Sequence, residues 1–156
     1  MRGLFLVLLA SLVLAPLAEG RGGQPNSAWA IVVSVESEIA ELNTGLATAY
    51  FLGRRTRLGS GRIVQVIDRV DQDSRQDFYQ ALARKTPAEV DDLWGRLMLS
   101  GAPVIPRRLV DDADVVEAVR KDPGAIGFLP VSWLEAHAPE GVRRVLTVPP
   151  LVEGPS

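Results

Sequence analysis

The sequence predicts an α/β fold, helices layered on a sheet, from three observations. Residues 28–35, "AWAIVVSV", and 62–68, "RIVQVID", have the β-branched density of buried strands. Segments with apolar residues at helical spacing lie between and after them, the clearest being "KTPAEVDDLWGRLMLSG". Gly53, Gly101 and Pro123 punctuate the alternation where a helix has to stop.

Taken in order, Met1-Arg2 precedes the apolar run "GLFLVLLASLVLAPLA", and Ala18 and Gly20 follow with a small-x-small spacing. This is the pattern of a secretory signal peptide over residues 1–20, too short and too interrupted by Pro16 to be a membrane span. Removing residues 1–20 from 156 leaves 136, about one domain. A Gly/Pro/Asn-rich spacer covers residues 21–28, the folded domain residues 29–148, and a Pro/Gly-rich tail, expected to be mobile, residues 149–156.

Within the domain, "NTGLATAYFLG" predicts a short helix capped by Asn43 and closed by Gly53. "RRTRLGSGR" is a basic turn leading into the second strand. A helix is expected to start near Ser74, with Phe78, Ala81 and Leu82 on one side, capped by Asp73 or Ser74 with Gln76 or Asp77 as the reciprocal partner. The next helix has a full start signature in Thr86, Pro87 and Glu89. Its stripe of Val90, Leu93, Trp94, Leu97 and Met98 is expected to be core. "APVIPRR" reads as an extended connector. "DDADVVEAVRKDPG" reads as a helix with acids first and bases last, as its dipole favours. "AIGFLPV" is a third strand, where Gly127 leaves room for close approach, and "VRRVLTV" a fourth.

Composition excludes several kinds of chemistry. With no cysteine, an exported chain has neither disulfide staples nor an N-terminal lipid anchor, so its core alone must hold it. The net charge of −2 lacks the basic excess that nucleic-acid binding requires. One histidine, His137, in the polar stretch "EAHAPEG", offers no sign of a catalytic triad, and transition-metal ligands of the usual types are missing. "GSG" at 59–61 precedes a strand and lacks the lysine of a phosphate-binding loop, so it reads as a turn. The pairs Asp91-Asp92 and Asp111-Asp112 read as solvated or capping acids. The expectation is a non-enzyme without metal or cofactor.

The stretch "RVDQDSRQDFYQAL" concentrates the functional question. A helix start presents free N–H groups and a partial positive charge, and so either holds an anion or is filled by its own capping residue.

The order of "YFLGRRT", "IVQVIDR", "SRQDFYQALARKTPAEVDDLWGRLMLSG" and "DVVEAVRKDPGAIGFLP" resembles the phosphate-type substrate-binding proteins of ABC transporters, and more narrowly short one-lobe proteins of that type. "FLGRR" is similar to that family's "FLGK", and "DPGAIGF" to its "PGAIGY". The resemblance runs over about residues 30–148. It implies a single type II periplasmic-binding-protein lobe, a small mixed sheet flanked by helices. It also implies ligand-binding roles for Arg69 at the strand end and Ser74 at the helix start. Arg75 and Gln76 stand where the family has glycine and threonine, with the Arg75 guanidinium available to an oxyanion. The implied function is an exported, periplasmic or secreted bacterial binding domain for phosphate or sulfate, with an ABC permease or envelope protein as partner. The alternative is an interaction module of the envelope that has lost its small ligand.

Overall fold

The computed structural model describes residues 27–152, so the expected leader, most of the spacer and the last four residues of the tail lie outside the described residues. The chain forms β1 (Trp29–Ser34), α1 (Thr44–Phe51), β2 (Gln65–Arg69), α2 (Gln72–Ala83) and α3 (Pro87–Leu99). There follow β3 (Arg107–Leu109), α4 (Asp112–Lys121), β4 (Ala125–Pro130), α5 (Val131–His137) and β5 (Val142–Val148). The five strands make one open mixed sheet in the order β3-β2-β4-β1-β5. β2 is parallel to β3 and β4, and β1 is antiparallel to β4 and β5.

Alternation along the strands sends side chains to two cores. From β1, Trp29, Ile31 and Val33 point into one layer, and Ala30 and Val32 into the other. The first layer, beneath α1, α2 and α3, centres on aromatic rings: Phe78 stacks on Phe128 at 3.8 Å, and Trp29, Phe51 and Tyr79 meet them edge-on. The second layer is aliphatic, with Val115, Val116 and Val119 of α4 against Ile67, Ala125 and Leu129. Gly127 serves that layer, because a Cβ there would lie 3.0 Å from Val115 and 3.2 Å from Val119. The closest backbone approach falls instead at Gly124, where a Cβ would stand 2.6 Å from the Ile63 carbonyl oxygen.

Local signals set the helix boundaries. Asn43 accepts from the Leu46 N–H, and Thr86 and Glu89 form the reciprocal capping box with Pro87 in the first turn. Four expectations change. Helix α2 begins earlier than expected, at Gln72, because Asp71 is its cap. Met98 is 53% exposed rather than core, while Val90 and Trp94 of the same stripe are buried and Leu93 and Leu97 are partly buried against the core. His137 ends a helix, α5, that its polar sequence does not signal, and stacks on Trp133 at 4.1 Å. The connector ends in β3, which extends the sheet by one short parallel strand.

β2, β3 and β4 are parallel, and each leads at its carboxyl end into a helix: α2, α4 and α5 respectively. Arg69 and Leu109 pair at this edge. In open α/β sheets the crevice outside the carboxyl ends of the strands is where ligands are held.

Candidate functional site

The last two residues of β2 continue the alternation, so Asp68 faces the α2/α3 layer with Val66, and Arg69 faces the α4 layer with Ile67. This one-residue offset decides what each charged group can meet.

Arg69 has a side chain only 7% exposed, and its Nη2 lies 2.5 Å from the Asp112 carboxylate at the start of α4. Its Nε and Nη1 are buried and have no hydrogen-bond partner among the described residues. Two guanidinium donors are thus held out of water unsatisfied, an arrangement that costs free energy unless something accepts from them. Helix α4 lacks a side-chain cap, its Asp111 making no such bond.

Ser74 sits in the first turn of α2, where Asp71 fills the helix start. The Asp71 carboxylate accepts from the N–H of Asp73 at 3.3 Å, the N–H of Ser74 at 3.1 Å and the Ser74 hydroxyl at 2.5 Å. The Ser74 hydroxyl bond is the largest of the effects holding the Asp71 carboxyl below the usual range, and the nearby Arg69 charge acts in the same direction. Asp71, Ser74 and Arg69 therefore share one locality at the carboxyl edge of β2.

Arg75 is not brought to that locality. It belongs to the apolar stripe of α2 with Phe78, Tyr79 and Leu82, so its guanidinium points beneath the helix and is fully buried. There Nε donates to Asp68 at 3.0 Å, Nη2 to Asp91 at 2.6 Å and Nη1 to both Gln72 and Asp91 at 3.3 Å. Arg108 of β3 reaches the same two carboxylates, Asp68 and Asp91. Burial raises the Asp68 carboxyl above its ordinary range, opposed first by the Arg75 charge. Gln76 is exposed on α2, and its side chain makes no hydrogen bond among the described residues.

Sequence reasoning missed three acids that do specific work here. Asp91 and Asp112, read as solvated or capping groups, each hold an arginine, and Asp71 rather than Asp73 or Ser74 caps α2. One signal was available: Arg75 lies three, four and seven residues before Phe78, Tyr79 and Leu82, so a guanidinium on the apolar face needed buried acids to meet it. Among the described residues no group of three metal-ligating side chains occurs, and no helix is long and apolar enough to cross a membrane.

No protein-family model matches the sequence, and no curated protein matches it either. Solved structures do. An ABC-type phosphate transport receptor from Vibrio cholerae superposes with a TM-score of 0.56 at 14% identity, covering 76% of this chain and 45% of the receptor. The fold is periplasmic-binding-protein-like, of single-lobe extent. A phosphate ABC transporter substrate-binding protein from Clostridium perfringens, solved with bound phosphate, gives the same TM-score of 0.56, identity of 14% and coverages of 76% and 45%. A structure from Planctomyces limnophilus, described as a possible phosphate-binding protein, gives 0.53 at 12% identity, covering 78% of this chain and 42% of that one. The chain thus spans less than half the length of the proteins whose fold it shares.

Proposed function

We propose that the chain is an exported, non-catalytic substrate-binding-protein-like domain that takes phosphate or a similar small oxyanion at the carboxyl edge of β2. An ABC permease or another envelope protein would be its partner. The reading is carried by Arg69, whose Nε and Nη1 are buried without acceptors among the described residues, beside the starts of α2 and α4. A guanidinium with two open donors is matched by an oxyanion, which accepts both in charge-assisted bonds. A ligand oxygen reaches them by displacing the Asp112 carboxylate from Nη2 and drawing the guanidinium toward the mouth.

Asp71 selects among anions, because its carboxylate already occupies the N–H groups of Asp73 and Ser74. Hydrogen phosphate has a proton to donate to that carboxylate, whereas sulfate at neutral pH has none and meets only repulsion. Arg75 supports this edge from behind: it pairs with Asp68, which in turn accepts the Arg69 N–H at 2.8 Å. A single lobe leaves the ligand open to water on one side, so affinity is weak, on the order of millimolar.

Isothermal titration tests the reading. Phosphate is expected to give heat that exceeds sulfate's, and the Arg69→Gln variant to give none. The absence of heat from the wild-type protein at millimolar phosphate overturns the proposal, as does an Arg69→Gln titration indistinguishable from wild type.

A further inference from the structure

The opposite edge of the sheet, at the amino ends of β2 and β3, carries a surface that the oxyanion reading does not use. The turn after α1 presents Arg54, Arg55 and Arg57, all exposed, and none of them forms an ion pair among the described residues. Arg55 lies over the Tyr50 ring at 5.8 Å, and Arg57 Nη1 donates to the Gly61 carbonyl at 2.9 Å, so the turn is held in shape while its charge stays unneutralised. Two exposed acids stand near this loop, Glu38, which accepts from the Ser60 N–H and hydroxyl, and Glu41, so the local excess is that of three arginines over two carboxylates.

Exposed apolar side chains stand at the end of α3, which packs against this turn, and on the connector that follows it. Gly53, next to Arg54, packs against Trp94 and Leu97 of α3, and the helix continues directly into Met98 and Leu99, which are 53% and 86% exposed. Ile105, 51% exposed, is tied to the same edge, because the Gln65 side chain at the start of β2 donates to its carbonyl at 2.9 Å. Large apolar groups in water cost free energy, and unpaired guanidinium groups beside them repel a cationic or purely apolar partner.

From this juxtaposition we propose that the edge formed by Arg54, Arg55, Arg57, Met98, Leu99 and Ile105 docks the protein on an anionic phospholipid surface. The arginines meet headgroup phosphates while Leu99 and Met98 enter the headgroup boundary, the two contributions that together hold peripheral proteins on bilayers.

Sedimentation with lipid vesicles tests the proposal, using the protein from Arg21 onward, which contains all of the described residues 27–152. It is expected to sediment with phosphatidylglycerol/phosphatidylcholine vesicles at low salt, to remain in solution with phosphatidylcholine alone, and to be released by high salt. The Arg54→Gln, Arg55→Gln double variant should lose roughly twenty-five-fold in partitioning, about five-fold per charge. Leu99→Gln, at a position outside both cores, should lose about ten-fold or more while leaving the unfolding midpoint unchanged. Equal binding to neutral vesicles, or variants that partition like wild type, overturns the proposal. So does competition by millimolar glycerol phosphate, which would mean a discrete phosphate site, or stronger retention on polyglutamate, which would mean an acidic protein partner.

Discussion

The Asp68 carboxylate lies 3.0 Å from Nε of Arg75, with the two side chains 1% and 0% exposed, and this pair ties the end of β2 to the underside of α2. Removing one member strands the other's charge in the protein interior. Arg75→Ala is therefore expected to cost about 3–5 kcal/mol, whereas Arg75→Met combined with Asp68→Leu, which removes both charges, should recover most of it. Urea unfolding at neutral pH checks both; equal losses in the two variants would show that the cost is one of volume rather than charge.

The same pair gives a pH dependence whose sign can be worked out. Burial holds the Asp68 carboxyl above its ordinary range, so the folded state binds that proton more tightly than the unfolded chain does. Its contribution to stability accordingly declines as pH rises from the ordinary carboxylate range through the folded value. Arg75 is the largest influence limiting this rise, and without it the folded value moves higher still. The deficit of Arg75→Met relative to wild type should thus be small near pH 4 and larger at pH 7, measured by urea midpoints at each. A deficit independent of pH would sink the assignment.

Much of the fold was legible because each element carried its own local chemistry. The Thr86-Pro87-Glu89 start, the Asn43 cap and the acid-to-base gradient along α4 all depend on neighbours within one turn. What was not legible depended on which face of the sheet a strand residue takes. Arg69 and Arg75 read as a pair leaning over one spot, yet a strand's alternation sends Arg69 to the α4 layer and a helix's stripe sends Arg75 to the α2/α3 layer. Asp91 and Asp112 are separated from their arginines by 16 and 43 residues, so only tertiary packing shows that they are partners.

Asp71 closes the start of α2 by accepting from two N–H groups and one hydroxyl. Asp71→Ala should cost about 1 kcal/mol, and Asp71→Asn, which keeps an acceptor, less. Since the Asp71 carboxyl is held below its usual range, its stabilisation is present above the unfolded value and is lost as pH falls through the folded one. The D71N variant should show a flatter acid limb in thermal unfolding. If Asp71 also sorts anions, the same variant narrows the preference for phosphate over sulfate, which titration reads separately from stability.

Two glycines, one in the turn after α1 and one inside α3, predict opposite outcomes for the same chemical change. Gly53 has φ 69°, and a Cβ there would stand 2.4 Å from Leu97 Cδ1 and 3.0 Å from the Trp94 ring. Leu97 can swing aside, but Trp94 is 7% exposed and its Nε1 donates to the Phe51 carbonyl at 3.0 Å, so the ring has little freedom to move. Gly53→Ala is expected to cost roughly 2–4 kcal/mol, combining the left-handed backbone with overpacking. At Gly95 an added methyl group would meet nothing within 4 Å, and the backbone there is ordinary helix. Gly95→Ala should instead stabilise by about 1 kcal/mol through helix propensity. Hydrogen exchange at the Trp94 indole N–H gives an independent readout: it should accelerate in the first variant and slow in the second. A neutral Gly53→Ala would mean that the turn and α3 do not meet as tightly as the contact with Trp94 requires.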